Sequence, residues 1–237
     1  MQIKTKAIVI STLKYQEKSL IVKCFTQSNG IKSYFVNNAF TGKNNKQKIA
    51  FFQPLMQLEI EATNKNKGTL ERFKDIKIAN PYQTISYDIY KTTIVLFLSE
   101  FLNHGIKEEE PNEPLFEYLE AALLWLDNHN EISNFHLIVL IQITKYLGFY
   151  PENPSDEINY FDQLEGVFNA SPSSNSLSID ETILLKRLLA LKLDNTENYF
   201  SAHQRQILLK VIINYFTLNV DGFKTPKSVE VFKEVFN

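Results

Sequence analysis

The chain has 237 residues, 44% of them hydrophobic and 13% aromatic, and a formal net charge of −2. That length suits one large domain or two modest ones, and that apolar content excludes intrinsic disorder for most of the chain. The single cysteine, Cys24, excludes a disulfide framework and any multi-cysteine metal site, and the near-neutral total hides a split: residues 1–80 hold 14 Lys+Arg against 5 Asp+Glu, residues 81–237 hold 11 against 22.

No apolar leader follows Met1, and the longest apolar runs, such as residues 137–141, stop far short of the roughly 18 residues a membrane span needs. The expectation is a soluble protein of a reducing cytosol. Residues 7–13 and 19–25, rich in Ile, Val and Leu, read as strands, and Ser28-Asn29-Gly30 signals a hairpin-type turn. In residues 31–37, Ile31, Ser33 and Phe35 alternate with Lys32, Tyr34 and Val36. Residues 40–48 are polar, with Gly42 and three lysines, and read as a loop. After Pro54, Met56, Leu58, Ile60 and Ala62 alternate with Gln57, Glu59 and Glu61, the period of a half-buried strand. Residues 64–68 turn the chain into a fifth strand, 69–78. Five short strands in about 75 residues suit a small closed barrel of the OB-fold kind, although an SH3-like barrel has a similar strand budget. Residues 1–80 are therefore expected to form a basic, nucleic-acid-binding module.

Pro81 marks a change from period 2 to period 3.6. Residues 87–103 carry Ile94, Phe97, Leu98, Phe101 and Leu102 on one stripe, with Gly105 behind them. An acidic, proline-bracketed connector at 108–114 leads to a second helix, 115–126. A third, 133–147, is nearly all apolar and ends at Gly148. Residues 151–175 form an irregular excursion with a short strand or turn near 164–168. Ser178-Ile179-Asp180-Glu181 is a capping box opening a helix to 193, and Ser201-Ala202-His203-Gln204 opens a longer one to 220. A short amphipathic helix follows Thr225-Pro226. The whole reads as α+β: a five-stranded OB-fold barrel followed by an all-α domain, residues 81–237, acidic and suited to protein interaction.

Enzyme chemistry finds little footing. The seven glycines are scattered singly, and His104, His129, His136 and His203 never fall at metal-ligand spacing with another histidine or a cysteine. His136 sits inside an apolar helix, where a structural role outweighs a ligand role. Glu108-Glu109-Glu110 lies beside prolines as a solvated linker would, and Cys24 reads as a small core hydrophobe. No catalytic constellation, cofactor or metal is expected. The N-terminal module instead offers Lys14, Lys18, Lys23, Lys32, Lys43, Lys46 and Lys48 with the aromatics Tyr15, Tyr34 and Phe40 interleaved. A cationic groove that tracks phosphates beside aromatic faces that stack on bases is how single strands are held. For Tyr34 and Phe40 the competing reading is packing, at the strand surface and at the barrel end.

Several segments together resemble the RecO family of recombination mediators. They are Lys6-Ala7-Ile8-Val9-Ile10, Tyr15-Gln16-Glu17-Lys18-Ser19, Phe25-Thr26 with Gly30, and Gln53-Pro54-Leu55. Later come Asn134-Phe135-His136 and Tyr146-Leu147-Gly148-Phe149-Tyr150-Pro151, and Tyr160-Phe161-Asp162 with Glu165-Gly166-Val167-Phe168 is similar to the Bacteroidetes variant. The resemblance covers nearly the whole chain. It implies an N-terminal OB-fold and a helical C-terminal domain. It also implies binding to single- and double-stranded DNA, annealing of complementary strands, and loading of RecA together with RecR on DNA coated by single-strand-binding protein (SSB). Such a protein is non-enzymatic, cytoplasmic and nucleoid-associated.

Two departures from the family pattern stand out. Residues 152–168 contain no cysteine, where many members carry a four-cysteine zinc site, and Asn37, Asn38, Asn44 and Asn45 dilute a loop commonly richer in Arg and Gly. For the acidic C-terminal tail of SSB that the resemblance implies as a partner, the candidate cations in the helical part are Lys145, Lys186, Arg187, Arg205 and Lys210. The competing reading is a protein-interaction module whose barrel docks another protein and does not touch DNA.

Overall fold

The apolar run Ala7-Ile8-Val9-Ile10 has no polar residue to alternate with, so a strand built from it has to be covered on both faces. In the computed structural model, which describes residues 2–40, 49–63, 70–107, 110–152, 160–194 and 199–236, all four side chains are fully buried. They lie on β1 (Gln2–Tyr15), which pairs antiparallel with β2 (Ser19–Thr26) and with β4 (Gln57–Thr63). β3 (Gly30–Val36) extends the sheet beyond β2 and β5 (Arg72–Ile78) beyond β4, giving the order β3-β2-β1-β4-β5. Val9, Val22, Cys24, Tyr34, Phe52, Leu58 and Ile60 fill the interior of the curled sheet. On its other side stand α1 (Ile89–Gly105) and α2 (Glu113–Asn128). There the Phe25 ring lies 5.8 Å from Phe116, and Ser99 Oγ donates to the Ile10 carbonyl at 2.6 Å.

The sheet is OB-like but not a closed barrel. One parallel bridge joins Tyr34 to Glu71, where Phe35 N–H donates to the Glu71 carbonyl at 2.8 Å and Glu71 N–H to that of Ser33 at 2.9 Å. Among the described residues, the edges of β3 and β5 part beyond this bridge. Sequence alternation alone suggests a closed barrel because it counts strands and does not see where the last pair diverges.

Polar side chains tie the helices to the sheet. Asp127, at the end of α2, accepts from the backbone N–H groups of Gln83 and Thr84 at 2.8 Å and Ile85 at 3.0 Å. Burial alone would raise its pKa, but these bonds and the Thr84 hydroxyl hold the carboxyl below its usual value. Lys91, 1% exposed, donates to Thr84 Oγ1 at 2.7 Å and to the Asp127 carbonyl at 2.9 Å. Gln57 reaches the Glu120 carbonyl at 3.0 Å. The strand-to-helix change thus falls at residues 79–88, while the compact unit runs on to Asn128; residues 129–237 form a second unit. Residues 81–128 carry 2 Lys+Arg against 9 Asp+Glu and residues 129–237 carry 9 against 13. Most of the acidic excess therefore belongs to the unit that holds the basic sheet.

The second unit contains α3 (Phe135–Tyr146), a hairpin of β6 (Tyr160–Asp162) and β7 (Val167–Asn169), α4 (Ile179–Leu189), α5 (Ala202–Asn219) and α6 (Val229–Val235). The capping boxes form at Ser178/Glu181 and Ser201/Gln204. The short strand or turn expected near 164–168 is the turn at 163–166 that joins the two hairpin strands, together with the start of β7. Asp162 holds it by accepting from the N–H groups of Leu164 and Glu165 and from Ser173 Oγ. Gly166 sits at φ +72°, and a Cβ there would stand 2.8 Å from the Tyr215 hydroxyl, which itself donates to the Phe149 carbonyl at 2.5 Å. Among the described residues, no helix is long and apolar enough to cross a membrane.

Candidate nucleic-acid interface

The last four residues of β1, Thr12–Tyr15, are exposed although they remain paired with β2 from Ser19 to Val22. This end of β1 pairs with β2 and not with β4, while Ser19, Leu20 and Val22 opposite it are buried against β3, and Gln16 at φ 53° turns the hairpin tip. Lys14 and Lys18 stand exposed on it. Lys14 Nζ lies 5.5 Å from the centre of the Phe40 ring, a cation–π distance. Phe40 also packs against the sheet interior. Tyr15 meets the edge of Phe35 at 6.0 Å, and the Arg72 guanidinium covers the same Phe35 ring at 5.5 Å. One cation–aromatic stack thus stands at the hairpin, Lys14 on Phe40, and the other at the β3–β5 seam, Arg72 on Phe35, with Tyr15 against the second.

Where the β3 and β5 edges part, a cleft of about 430 Å³ opens, lined by Phe35, Phe51, Phe73, Arg72, Lys74 and Asp75 among others. Behind it Phe73 stacks on Tyr34 with ring centres 4.2 Å apart, and Phe52 lies 5.7 Å from Phe73, each pair only 19° from parallel.

Some sequence candidates are placed elsewhere. Tyr34 is 1% exposed and stacked inside the sheet, so it is no surface for bases. Its register partner is Val22, an interior residue, whereas Phe35 pairs with Ile21 and turns outward. The alternation along β3 was legible, but only pairing with β2 decides which half faces in. Burial pushes that phenol up from its usual pKa, with nearby Cys24 and Glu71 adding to it. Lys23 is half-buried and donates to Asn103 Oδ1 at 3.0 Å and to the Asn103 carbonyl at 3.2 Å. Burial and then Lys107 lower its pKa, and it serves the end of α1, where a cation complements the helix dipole. It is a helix-end contact and not an open phosphate site. Lys32 is half-buried, two residues from Tyr34 and across the ladder from Cys24. Lys43, Lys46 and Lys48 lie outside the described residues.

Sequence reasoning missed Phe35, Phe51, Arg72 and Lys74. One signal was available: Arg72 is the only arginine among residues 1–80, and arginine stacks on aromatic faces more readily than lysine.

In the second unit, Arg187 and Arg205 converge on one stretch of backbone. Arg187 donates to the Tyr199 carbonyl at 2.5 Å and lies 5.1 Å from the Phe200 ring centre; Arg205 donates to the Phe200 carbonyl at 2.6 Å. Lys186 stands over Phe168 at 5.7 Å, and Lys145 and Lys210 are exposed. His136 is buried with its ring 4.5 Å from that of Phe232, and its Nδ1 makes no hydrogen bond among the described residues. Burial, then Arg205, pushes its pKa down to about 3. The crevice beside Arg205 measures about 10 Å³, and the chain's own Phe232 and Phe236 line it.

Among the described residues no three His, Cys, Asp or Glu side chains are grouped as a metal site would require. The family's zinc site does not fit this chain. Its one thiol, Cys24, is fully buried in the sheet interior, where burial raises its pKa, and four-coordinate zinc sites of that kind need thiolates together.

Comparison with known proteins decides the family. The model for the N-terminal part of recombination protein O matches residues 1–82, and the model for its C-terminal part matches residues 86–228. The chain belongs to the RecO family. It is 61% identical to the DNA repair protein RecO of Flavobacterium johnsoniae over 237 residues, all of both chains. It is 60% identical to the protein of the same name from Flavobacterium psychrophilum over the whole of both chains. It is 35% identical to that of Bacteroides fragilis over 99% of each.

Proposed function

We propose that this RecO-family DNA repair protein works as a non-enzymatic recombination mediator. In this reading the hairpin and seam side of its sheet binds single- and double-stranded DNA without sequence preference. The observation that carries the reading is the pair of cation–aromatic stacks, Lys14 on Phe40 and Arg72 on Phe35. Lysine and arginine neutralise phosphates and release counterions, while aromatic faces take unstacked bases of any identity. A surface that holds a strand by its backbone leaves base edges free to pair. That is the physical requirement for annealing complementary strands.

The finer roles are proposed on the strength of family membership. They are loading of RecA with RecR on SSB-coated DNA, and action at the nucleoid in the cytoplasm. For the SSB tail, the second unit offers Arg187 and Arg205 side by side, with Lys186 nearby and Lys145 and Lys210 exposed; a tail there has to displace Phe236 or use another face.

Titrating a labelled single strand against the full chain at several salt concentrations tests the proposal. With about five cations each neutralising a phosphate, log K should fall with log[salt] at a slope near −3.5, about 0.7 per contact. A slope near zero, or no binding at low salt, rejects the DNA reading in favour of a protein-docking module.

A further inference from the structure

We propose that the cleft between β3 and β5 is a pocket for one unpaired nucleobase and gives the sheet its preference for single over double strands; this rests on the reading that the first unit binds DNA. The cleft exists because the two edges, among the described residues, are bridged at Tyr34–Glu71 and part beyond it. Its volume of about 430 Å³ falls within the ~300–1,000 Å³ of small-ligand sites.

The walls are built for a flat ring. Phe73 is held from behind by Tyr34 and lies near-parallel to Phe52, so its orientation is set before any ligand arrives and little ordering cost remains. Phe35 and Phe51 line the same space, and base–aromatic stacking tolerates every base because each has a π-face.

Charge at the cleft suits a phosphate on one side. Arg72 and Lys74 flank Phe73 along β5 and are both exposed. Asp75 also lines the cleft; it repels phosphate but accepts from an exocyclic amine, so the backbone of the strand runs on the Arg72 and Lys74 side. A base inside a duplex has its faces covered by its neighbours and its edge by its partner, and cannot enter without being flipped out. The hairpin lysines Lys14 and Lys18 reach phosphates in either form. The cleft is thus the element that tells the two forms apart.

The test uses the full chain, a fluorescent single strand carrying 2-aminopurine, and its duplex. Wild type should quench the 2-aminopurine in the single strand by stacking. Phe51→Ala should lower single-strand affinity about tenfold and abolish the quench, with duplex affinity held within about twofold. Unchanged single-strand affinity and quench in a folded Phe51→Ala, or an equal loss on both forms, overturns the cleft while leaving the DNA reading standing. Binding of neither form by wild type overturns both. Should Phe51→Ala melt, the wild-type signal and Lys74→Glu decide. A 2-aminopurine that stays bright on bound wild type overturns the proposal, and that is the result expected if an extended polypeptide occupies the cleft instead. A quench weakened by Lys74→Glu supports it.

Discussion

The two sides of the first unit use the same residue type for opposite ends. On the helix-covered side lysines are engaged within the fold: Lys6 makes two 2.9 Å contacts with Glu120, Lys23 holds the end of α1, and Lys91 is buried at the end of α2. On the hairpin and seam side Lys14 and Arg72 stand over aromatic rings. A basic excess counted along the sequence therefore overstates what a polyanion meets, because part of it is already engaged with the helices packed against the same sheet. Mutations on the first side should move stability and not DNA affinity; mutations on the second should do the reverse.

The largest effect is expected at Asp127. Asp127→Ala leaves three backbone N–H groups at the strand-to-helix joint without their acceptor, at a cost of about 3 kcal/mol, or roughly 6–12 °C in Tm. Because its folded pKa is depressed, its contribution is present above the ordinary carboxylate value of about 3.9 and is lost as pH falls through the folded value. Melting curves from pH 7 to pH 3 should show a shallower acid limb in Asp127→Ala than in wild type. DNA affinity of the folded variant at pH 7 should not change, and a matching loss of affinity breaks the separation of the two sides.

On the other side, Lys14→Glu with Lys18→Glu should reduce the salt slope of single-strand binding by about 1.4, from about 0.7 per lost contact. Stability should stay within about 0.5 kcal/mol, as for exposed sites in general. An unchanged slope moves the phosphate track away from the hairpin.

Lys23→Ala is the sharper comparison, since sequence alone places Lys23 with Lys14. It should cost up to about 1 kcal/mol through the α1 terminus and leave the salt slope alone, which denaturant titration and the same binding series measure together. The smallest effect is Lys6→Ala. The Lys6–Glu120 pair is partly exposed, so its loss should cost about 0.5 kcal/mol. A double-mutant cycle with Glu120→Ala should return a coupling of that size.

What could be read from the residues followed from local rules. Both capping boxes, the alternation of β4, the near-continuous burial of α3 and the turn near 164–168 depend on neighbours a few positions apart, and all are present. The cation-plus-aromatic chemistry was legible as a class for the same reason, but its membership was not. Tyr34 and Phe35 share one strand and one composition argument, and the Val22 and Ile21 partners sent one inside and the other out.

By itself, the sequence determined the family, the succession of strands and helices, and the presence of a basic, aromatic-rich module, because these are written in composition, spacing and end signals. Only the tertiary structure decided which cations remain available, where the sheet's edges part, and that α1 and the acidic α2 pack with the sheet in one compact unit. Those outcomes depend on register and on long-range partners such as Lys6 with Glu120 and Lys23 with Asn103, 114 and 80 residues apart. Pairings across such distances carry no local periodicity, so they come into being only when the chain closes on itself.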